Sequence, residues 1–331
     1  MQNEFNLIEQ FFNRSLAARP DVLMGIGDDG AVTRLQPNHD LVTVTDTLVE
    51  GVHFDQTTPP RAIGHKAVAV NLSDLAAMGA EPCWVSLALT LPSSDSDWLR
   101  EFAAGLHEIC HYYGCHLIGG DTTRGPLTVT VTAQGQLPEG TAITRQGAKP
   151  GDWLYVSGSL GDAGLGLDIT QQRYPNAGPH LRKLVERLHY PSPRVALGQS
   201  LRGVANACID VSDGFLADLN HILLASQVGA EIELDKLPLS LAMTETLSQE
   251  DAYVKALTAG DDYALCFTVE DHHRGRLETL TAHLKNKPFC VGRIRQPSEP
   301  RVTFKLHGEE YPLSIAKAGY NHFNDSAEET S

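Results

Sequence analysis

Residues 67–80, AVAVNLSDLAAMGA, contain a single charged side chain, Asp74, among small and apolar ones. This pattern predicts a helix, and Asn71 lies three positions before Asp74, so the two side chains share one face. Small residues allow a neighbouring backbone or a ligand to approach that face closely. A buried carboxylate must be hydrogen-bonded, paired or metal-bound, because an unpaired buried charge costs several kcal/mol. The alternative is an acid on the exposed side of a surface helix, and this stretch alone favours neither.

The segment that precedes this helix alternates apolar and polar residues from Leu41 to Val49, which predicts a β-strand. Its parity places Asp46 on the same face as Val42 and Leu48, the face that the pattern marks as inward. An acid on the apolar face of a strand is more often functional or tightly hydrogen-bonded than incidental. His53 follows the strand and is a candidate for substrate contact, although a structural histidine is the commoner outcome.

Further aspartates lie in glycine-rich segments. Residues 25–30, GIGDDG, satisfy the GxGxxG pattern, but two carboxylates in such a loop would repel a pyrophosphate, so we reject a dinucleotide site. Residues 117–123, LIGGDTT, predict an apolar strand that ends in a turn. Its glycine amides suit a phosphate, and Asp121 suits a hard cation. In both segments the alternative is an ordinary acidic turn.

The second half of the chain also has aspartates at a predicted strand end and turn. Residues 207–215, ACIDVSDGF, predict a short strand, an acidic turn and the start of a helix. Ser212 or Asp213 is the predicted helix N-cap, which accounts for only one of the two acids in this turn. Strand and helix patterns alternate along the chain, which predicts an α/β or α+β fold.

Length and composition predict the organisation of the chain. The 331 residues suffice for two domains, and residues 138–150, rich in Pro, Gly and Thr, predict a linker between residues 1–137 and 151–323, with a polar tail at 324–331. A net charge of -15 argues against a nucleic-acid partner, so an acidic protein that handles phosphates needs metal cations. Six cysteines without a CxxC pair predict reduced thiols in the cytoplasm. The lack of a long apolar run or a basic leader predicts no membrane partner.

Six acids fall at strand ends, in turns or on a small-residue helix face in both halves of the chain. They would repel one another unless divalent cations joined them, and Mg²⁺ fits best because it takes oxygen ligands and is completed by substrate phosphates. We therefore expect phosphoryl transfer from a nucleotide, catalysed by positioning and charge neutralisation. The chain has neither a GxxxxGK[ST] loop nor an HRD and DFG pair, which excludes the two common kinase architectures. The six acids are Asp29, Asp46, Asp74, Asp121, Asp210 and Asp213.

The motifs GIGDDGA, TDTLVEGVHF, NLSDLAAMGA, IGGDTTRG, GAKPGD and IDVSDG occur in this order. Together they strongly resemble the thiamine-monophosphate kinase family, and the resemblance covers nearly the whole chain. It implies ATP-dependent phosphorylation of thiamine monophosphate to thiamine diphosphate. It also implies the two-domain fold of the aminoimidazole ribonucleotide synthetase and selenophosphate synthetase superfamily, with a C-terminal α/β domain and a homodimer whose N-terminal domains form a β-barrel.

The resemblance also implies roles for individual residues. The implied magnesium ligands are Asp29, Thr45, Asp46, Asp74, Asp121, Asp210 and Asp213. The implied ATP contacts are Gly120, Asp121, Arg145 and Ser212, and the implied thiamine phosphate contacts are His53 and Asp261. No separate general base is expected, because the acceptor phosphate oxygen is already ionised at neutral pH.

Three positions depart from the family pattern. Asp261 stands where the family usually has Glu, no tryptophan shortly precedes Gly319, and Val44 replaces a metal-ligating Ser of some relatives. The acid that reaches thiamine is therefore one methylene shorter, and a ring that would stack on the substrate is missing. Two alternatives remain open: an ATP-using member of the same superfamily with a different acceptor, and a non-catalytic protein that binds magnesium and nucleotide.

Overall fold

The computed structural model describes residues 4–13, 19–174, 178–284, 287–313, 315 and 319–320. The chain divides into two compact units between Ala142 and Ile143. This division falls inside the predicted linker 138–150, and the predicted polar tail lies outside the described residues. Within the described ranges, no helix combines the length and the apolar character needed to cross a bilayer.

The first unit contains a four-stranded sheet, a two-stranded ribbon and two long helices. Its strands are β1 (Val22–Met24), β2 (Val32–Thr33), β3 (His39–Val49), β4 (Glu81–Leu91), β5 (His116–Arg124) and β6 (Thr128–Pro138). Its helices are α1 (Glu4–Leu7), a π-helix (Ile8–Phe12), α2 (Pro60–Ala77) and α3 (Ser96–Tyr113). The sheet order is β3-β6-β4-β5, with β4 and β5 parallel and the other pairs antiparallel.

The helix predicted around Asp74 is confirmed as α2, which is almost entirely buried. It packs closely against α3 through two glycines. A Cβ atom at Gly64 would lie 2.1 Å from the carbonyl oxygen of Phe102, and one at Gly105 would lie 1.9 Å from that of Arg61. The two helix backbones therefore touch, and a larger residue at either glycine would force them apart.

The predicted parity of β3 is also confirmed. Val42 and Leu48 are buried and Asp46 is half-buried, whereas Thr45 and Thr47 are exposed. The inward face packs against α2, so the opposite face of the sheet is open. β3 and β5 are the two edges of this sheet. No closed β-barrel occurs within the described chain, so the barrel expected from the resemblance would need a second copy.

One predicted local structure in this unit is wrong. The predicted turn at Gly119, Gly120 and Asp121 is instead part of β5, which continues to Arg124. Pairing with β4 extends the strand through these residues, so hydrogen bonding to a neighbour overrides the local turn preference of glycine.

The second unit is a seven-stranded sheet with helices. Its strands are β7 (Trp153–Val156), β8 (Ala205–Val211), β9 (Gly229–Glu233), β10 (Ala264–Val269), β11 (Phe289–Arg295), β12 (Val302–Leu306) and β13 (Glu309–Glu310). Its α-helices are α4 (Asp162–Thr170), α5 (Leu181–His189), α6 (Val195–Leu201), α7 (Phe215–Ser226), α8 (Leu241–Thr246), α9 (Gln249–Thr258) and α10 (Arg274–Thr281). Short 3₁₀-helices are Gly178–His180, Leu234–Lys236 and Asp271–His273.

The strand order of this sheet is β13-β12-β9-β11-β7-β10-β8. β12 and β9 are parallel, and the other neighbouring pairs are antiparallel. The buried side chains of Phe215, Leu219 and Ile222 on α7 belong to its main hydrophobic core. This core fixes α7 beside the end of β8, where the second predicted acidic turn lies.

Candidate active site

A cavity of about 680 Å³ in the first unit brings together two of the predicted acidic segments. Residues 25–31 and 117–122 both line it, so Asp29 and Asp121 face one space although 92 positions separate them. Both acids are exposed. Asp28 accepts a hydrogen bond from the backbone N–H of Asp29 at 2.8 Å, which makes it part of the turn. The cavity therefore joins the predicted Asp29 and Asp121 sites.

Gly120 has a structural reason to be glycine that is independent of any ligand. Its φ is +150°, and a Cβ atom would lie 1.8 Å from the carbonyl oxygen of Leu87 on β4. Side chains are excluded both by the backbone conformation and by the neighbouring strand. The glycine itself is therefore no evidence for a phosphate contact, although its backbone does line the cavity.

The structure separates Asp46 from Asp121 within the first unit. Asp46 is in register with buried Val131, whereas Asp121 is in register with exposed Ala88. Residues paired in register point to the same side of a sheet, so the two acids lie on opposite faces. They also lie on opposite edges, three strand spacings or about 14 Å apart. Within one chain, therefore, this sheet does not bring the carboxylates of Asp46 and Asp121 to the same metal ion.

Thr45 lies on the other face of β3 from Asp46. Its hydroxyl forms a hydrogen bond with the hydroxyl of Thr132 at 2.9 Å on the exposed face of the sheet. Alternate residues of a strand point in opposite directions. The Thr45 hydroxyl is therefore directed away from the Asp46 carboxylate.

Asp74 is half-buried in the last turn of α2, and a buried amide lies one turn before it. Asn71 donates its Nδ2 hydrogen to the carbonyl oxygen of Ala67 at 3.0 Å. Its Oδ1 atom is buried and has no hydrogen-bond partner in the described chain. A buried acceptor without a partner costs about 1–3 kcal/mol. A cation or a ligand donor at this oxygen would remove that cost, so the observation fits a site beside Asp74.

His53 is held by a hydrogen bond at its Nδ1 atom. Its Nδ1 atom accepts a hydrogen bond from the backbone N–H of Val49 at 3.0 Å. In the neutral imidazole the proton therefore lies on Nε2, which makes that atom a donor. A donor of this kind suits a phosphate oxygen.

In the second unit, the acidic turn between β8 and α7 is fixed by a residue that the sequence analysis did not identify. The carboxylate Oδ2 of Asp218 accepts three backbone N–H bonds, from Ser212 at 3.0 Å, Asp213 at 3.1 Å and Gly214 at 3.2 Å. The predicted N-cap is wrong: Gly214 is the N-cap of α7, and it makes no side-chain capping bond. Asp218 instead reaches back from the first turn of the helix.

The carboxyl groups of Asp210, Asp213 and Asp218 lie near one another at this turn. Burial, and then the charges of Asp210 and Asp213, raise the pKa of Asp218 to about 8. Asp210 is buried and Asp213 is half-buried. Among the described residues, no three His, Cys, Asp or Glu side chains are arranged to hold a metal ion by themselves. Mg²⁺ commonly binds through one or two carboxylates, with waters and substrate phosphates as its other ligands, so the oxygen donors present fit this metal.

One signal in the sequence could have identified Asp218. It lies on the same face of α7 as the buried residues Phe215, Leu219 and Ile222, which have helical spacing. A charge in an apolar stripe needs a buried partner. In this chain the partners are the three amides of the preceding turn.

Replacing Asp218 should distinguish this fixing role from a general packing role. Asp218→Ala leaves three amides without their acceptor, so we expect the free energy of unfolding to fall by about 2–3 kcal/mol. Asp218→Asn keeps an acceptor oxygen, and because the raised pKa leaves the wild-type carboxyl mostly protonated at pH 7, the substitution changes the charge little, so we expect a loss below about 1 kcal/mol. Chemical denaturation at pH 7 with EDTA measures both. Equal losses in the two variants would contradict the fixing role.

The segment that contains Asp261 packs against the same turn. The backbone N–H of Asp261 donates to the carbonyl oxygen of Ser212 at 2.8 Å, and the hydroxyl of Tyr263 donates to Asp261 Oδ1 at 3.1 Å. Both residues have left-handed φ values, 68° and 47°. Such values cost non-glycine residues about 1–2 kcal/mol, so the surrounding bonds must maintain them. The structure thus places Asp261 beside Ser212.

Arg145 belongs to the second unit, and its backbone is bonded at the end of α7 that lies away from this turn. Its carbonyl oxygen accepts a hydrogen bond from the hydroxyl of Ser226 at 3.2 Å, at the far end of α7. The residue is exposed. Its predicted ATP contact therefore remains a proposal.

Asp262 gives a prediction for stability against pH. It is fully buried and accepts backbone N–H bonds from Gly161 and Ala163. Burial raises its pKa from 3.8 to about 7; Asp162 adds to this, and Arg187 and the amides oppose it. The folded state therefore binds the carboxyl proton of Asp262 more tightly than the unfolded state does. The resulting stabilisation is complete below pH 3.8, decreases as the pH rises, and is lost as the pH passes through 7.

We expect the unfolding free energy of the wild type to fall by about 2 kcal/mol from pH 5 to pH 7 relative to that of Asp262→Asn. Urea denaturation of both proteins at several pH values measures the difference. A constant difference across this range would contradict the raised pKa.

Both parts of the chain are similar to known proteins. Residues 27–137 match the family "AIR synthase related protein, N-terminal domain", and residues 149–303 match "AIR synthase related protein, C-terminal domain". The thiamine-monophosphate kinase of Escherichia coli K12 is 46% identical over 321 residues, which cover 97% of this chain and 98% of that protein.

Two solved structures are similar over most of their length. The thiamine-monophosphate kinase of Stenotrophomonas maltophilia K279a has a TM-score of 0.82 and 45% identity, covering 88% of this chain and 93% of that one. The structure titled "AaThiL complexed with AMPPCP and TMP" has a TM-score of 0.76 and 30% identity, covering 90% of this chain and 92% of that one. These similarities support a two-domain AIR synthase-like fold of mixed α and β structure. The chain belongs to the thiamine-monophosphate kinase family of AIR synthase related proteins.

Proposed function

We propose that this chain is an enzyme that transfers a phosphoryl group from ATP to thiamine monophosphate and forms thiamine diphosphate. The observation that carries the proposal is full-length similarity to thiamine-monophosphate kinases, including one structure whose title names an ATP analogue and TMP. The acidic turn between β8 and α7, with Asp261 beside it, supports the same function. A closely related activity with a different acceptor is the alternative that an assay must exclude.

Mg²⁺ is proposed as the metal because every candidate ligand is an oxygen donor. The residues that would hold it are Asp29, Thr45, Asp46, Asp74, Asp121, Asp210 and Asp213. When bound, the metal would neutralise the phosphate charges that otherwise keep the donor and the acceptor apart. The Thr45 hydroxyl already bonds to Thr132, so its backbone oxygen is the donor we propose.

The residues of the chain itself bind and orient the two substrates. Gly120, Asp121, Arg145 and Ser212 are proposed to contact ATP. His53 would donate its Nε2 hydrogen to the phosphate of thiamine monophosphate, and Asp261 would accept a hydrogen bond from, or pair with, the thiamine moiety. The attacking phosphate oxygen is ionised at neutral pH, so alignment with the γ-phosphate is the main requirement and no general base is needed.

The test is direct assay of the purified full-length protein with ATP, Mg²⁺ and thiamine monophosphate. Chromatography should show thiamine diphosphate and ADP forming in equal amounts. ADP release without thiamine diphosphate would indicate a different acceptor. Nucleotide binding without ADP release, with any thiamine compound, would indicate a non-catalytic protein.

We also propose a homodimer in which the open faces of two four-stranded sheets meet and close a β-barrel. Over most of three strands this face carries uncharged side chains: Leu41, Thr43, Thr45 and Thr47 on β3, Thr128, Thr130, Thr132 and Gln134 on β6, and Ser86, Ala88 and Thr90 on β4. At one end of β4, exposed Glu81 shares this face, because it is in register with Gln136, which is in register with Leu41. A largely uncharged, partly exposed sheet face is unusual for a surface in water, especially in a protein of net charge -15.

A charge placed on this face should weaken the dimer. Leu41 is 44% exposed, and Leu41→Asp would place a carboxylate in the closed interface, so we expect the dimer dissociation constant to rise at least about a hundredfold. Leu224→Asp is the matched control, because Leu224 is 51% exposed on α7. Light scattering coupled to size-exclusion chromatography measures both. A Leu41→Asp variant that stays as dimeric as the control would contradict this interface.

The remaining expectations are proposals about organisation. We propose residues 1–137 as the nucleotide-binding, magnesium-binding and dimerisation domain, residues 151–323 as the second domain, and residues 138–150 as the linker. The boundary between the two compact units supports this division. We propose a cytoplasmic location, which the six free cysteines support.

A further inference from the structure

A second cavity, of about 1010 Å³, lies wholly within the second unit and takes no part in the proposed reaction. One wall is α5. Others are formed by Gly158 and Ser159 before α4, Asp162 at its start, residues 240–242 at the start of α8, and Phe289 at the start of β11. None of the residues assigned above to ATP, magnesium or thiamine phosphate lines it. Its chemistry therefore requires a separate explanation.

The lining of this cavity is cationic in an acidic protein. Lys183 and Arg187 lie four residues apart on α5, and Lys287 lies beside β11. In the described part of the chain, none of these three side chains makes a hydrogen bond or a close ion pair. Like charges four residues apart destabilise a helix. Arg187 interacts electrostatically with the buried Asp262 but forms no close ion pair with it within the described residues, so both cations remain available to contact an anion from outside the chain.

The two acids that line the cavity already have partners within the protein. Asp162 accepts hydrogen bonds from the hydroxyls of Ser159 and Ser240. Glu186 is paired with Arg182 at 2.9 Å. The lining acids therefore do not neutralise the lysine and arginine charges by direct contact, and the cavity keeps a positive character.

Exposed rings and an aliphatic side chain complete the lining. Phe289 is 45% exposed, Tyr190 is 36% exposed, and Leu241 is 65% exposed. Large apolar side chains that remain open to a cavity favour a ligand with a flat apolar part. The volume is of the order of a small-molecule site. Phosphate groups would meet the cations, and a ring would meet Phe289 and Tyr190.

We propose that this cavity is a second ligand site, which binds a nucleotide-like organic phosphate, that is, an anion with one or more phosphates and an aromatic ring. The site does not depend on divalent cations, because its own lysine and arginine side chains meet the phosphates. The proposed active site is acidic, so nucleotide binding there does depend on them. This difference allows the two sites to be measured separately.

Calorimetric titration of the full-length protein with ADP in EDTA tests the proposal. The cavity variant is Lys183→Gln with Arg187→Gln, which removes two charges and keeps side-chain length. The matched control is Arg276→Gln with Arg295→Gln, which removes two charges from exposed positions of the same unit that do not line the cavity. Pyrophosphate and adenosine serve as partial ligands. Lys287→Gln provides a second cavity variant if the double variant fails to fold.

The wild type and the control should bind ADP with dissociation constants within about twofold of each other, and the cavity variant should bind at least about tenfold more weakly. ADP should bind more tightly than pyrophosphate or adenosine. Absence of ADP binding to the wild type in EDTA, or equal weakening in both double variants, would overturn the proposal. Pyrophosphate binding as tight as that of ADP would contradict the proposed contact of the ligand ring with Phe289 and Tyr190. Turnover of thiamine monophosphate with Mg²⁺ is measured separately and should be unchanged in the cavity variant.

Discussion

Asp46→Asn should reduce the turnover number for thiamine monophosphate about a thousandfold and leave the fold intact. Asp46 is half-buried on the inward face of β3, where an amide of the same size fills the same volume. Asn lacks the negative charge that a hard cation prefers. A thousandfold loss corresponds to about 4 kcal/mol of transition-state stabilisation, whereas the unfolding free energy should change by less than about 1 kcal/mol.

The matched control is Asp40→Asn on the same strand. Asp40 is exposed, and its carboxylate accepts a backbone N–H from Gly140 at 2.9 Å, a bond that Asn can also accept. Steady-state kinetics at saturating ATP, thiamine monophosphate and Mg²⁺ should show normal turnover for this control. An Asp46→Asn variant with more than a tenth of wild-type turnover would mean that this carboxylate is not a metal ligand.

Gly120→Ala should produce the largest stability loss among the glycine changes near the first cavity. The added Cβ atom would lie 1.8 Å from the backbone oxygen of Leu87, and φ at this position is +150°. A backbone atom cannot rotate away as a side chain can. We therefore expect the unfolding free energy to fall by about 3 kcal/mol or more. ATP affinity should also fall, because β5 must move away from β4 and the cavity wall moves with it.

Gly119→Ala is the control for this prediction. A Cβ atom at Gly119 would have no neighbour within 4 Å, so the same substitution one residue earlier should change stability by less than about 1 kcal/mol. Thermal unfolding of the two variants measures the contrast. Similar melting temperatures would show that the approach of β5 to β4 at Gly120 is looser than this structure indicates.

The features that the sequence predicted well are those with a clear period. The alternation around Asp46 correctly predicted both the strand and the inward face of the acid, because a two-residue period maps directly onto the two faces of a sheet. The small-residue stretch around Asp74 correctly predicted a helix, although it left open whether the Asp74 face is buried. These predictions needed only local patterns.

The features that the sequence missed depend on contacts between distant segments. The segment around Asp121 was predicted as a turn from its glycines, but pairing with β4 makes it a strand. Asp218 is an exception, because its partners are amides only four to six residues earlier; it was missed because its place in the apolar stripe of α7 was not recognised. The arrangement of Asp46 and Asp121 on opposite edges follows from strand order, which no single motif encodes.

The central claim is that carboxylates from separate motifs act through hard divalent ions bound with the nucleotide phosphates. The most direct measurement is anomalous diffraction from crystals grown with Mn²⁺, a non-hydrolysable ATP analogue and thiamine monophosphate. We predict manganese peaks at coordination distance from Asp46 or Asp74, from Asp29 or Asp121, and from Asp210 or Asp213, each also touching a phosphate or its bound water. Bound nucleotide with no manganese at any of these carboxylates, each of them facing solvent, would contradict the claim.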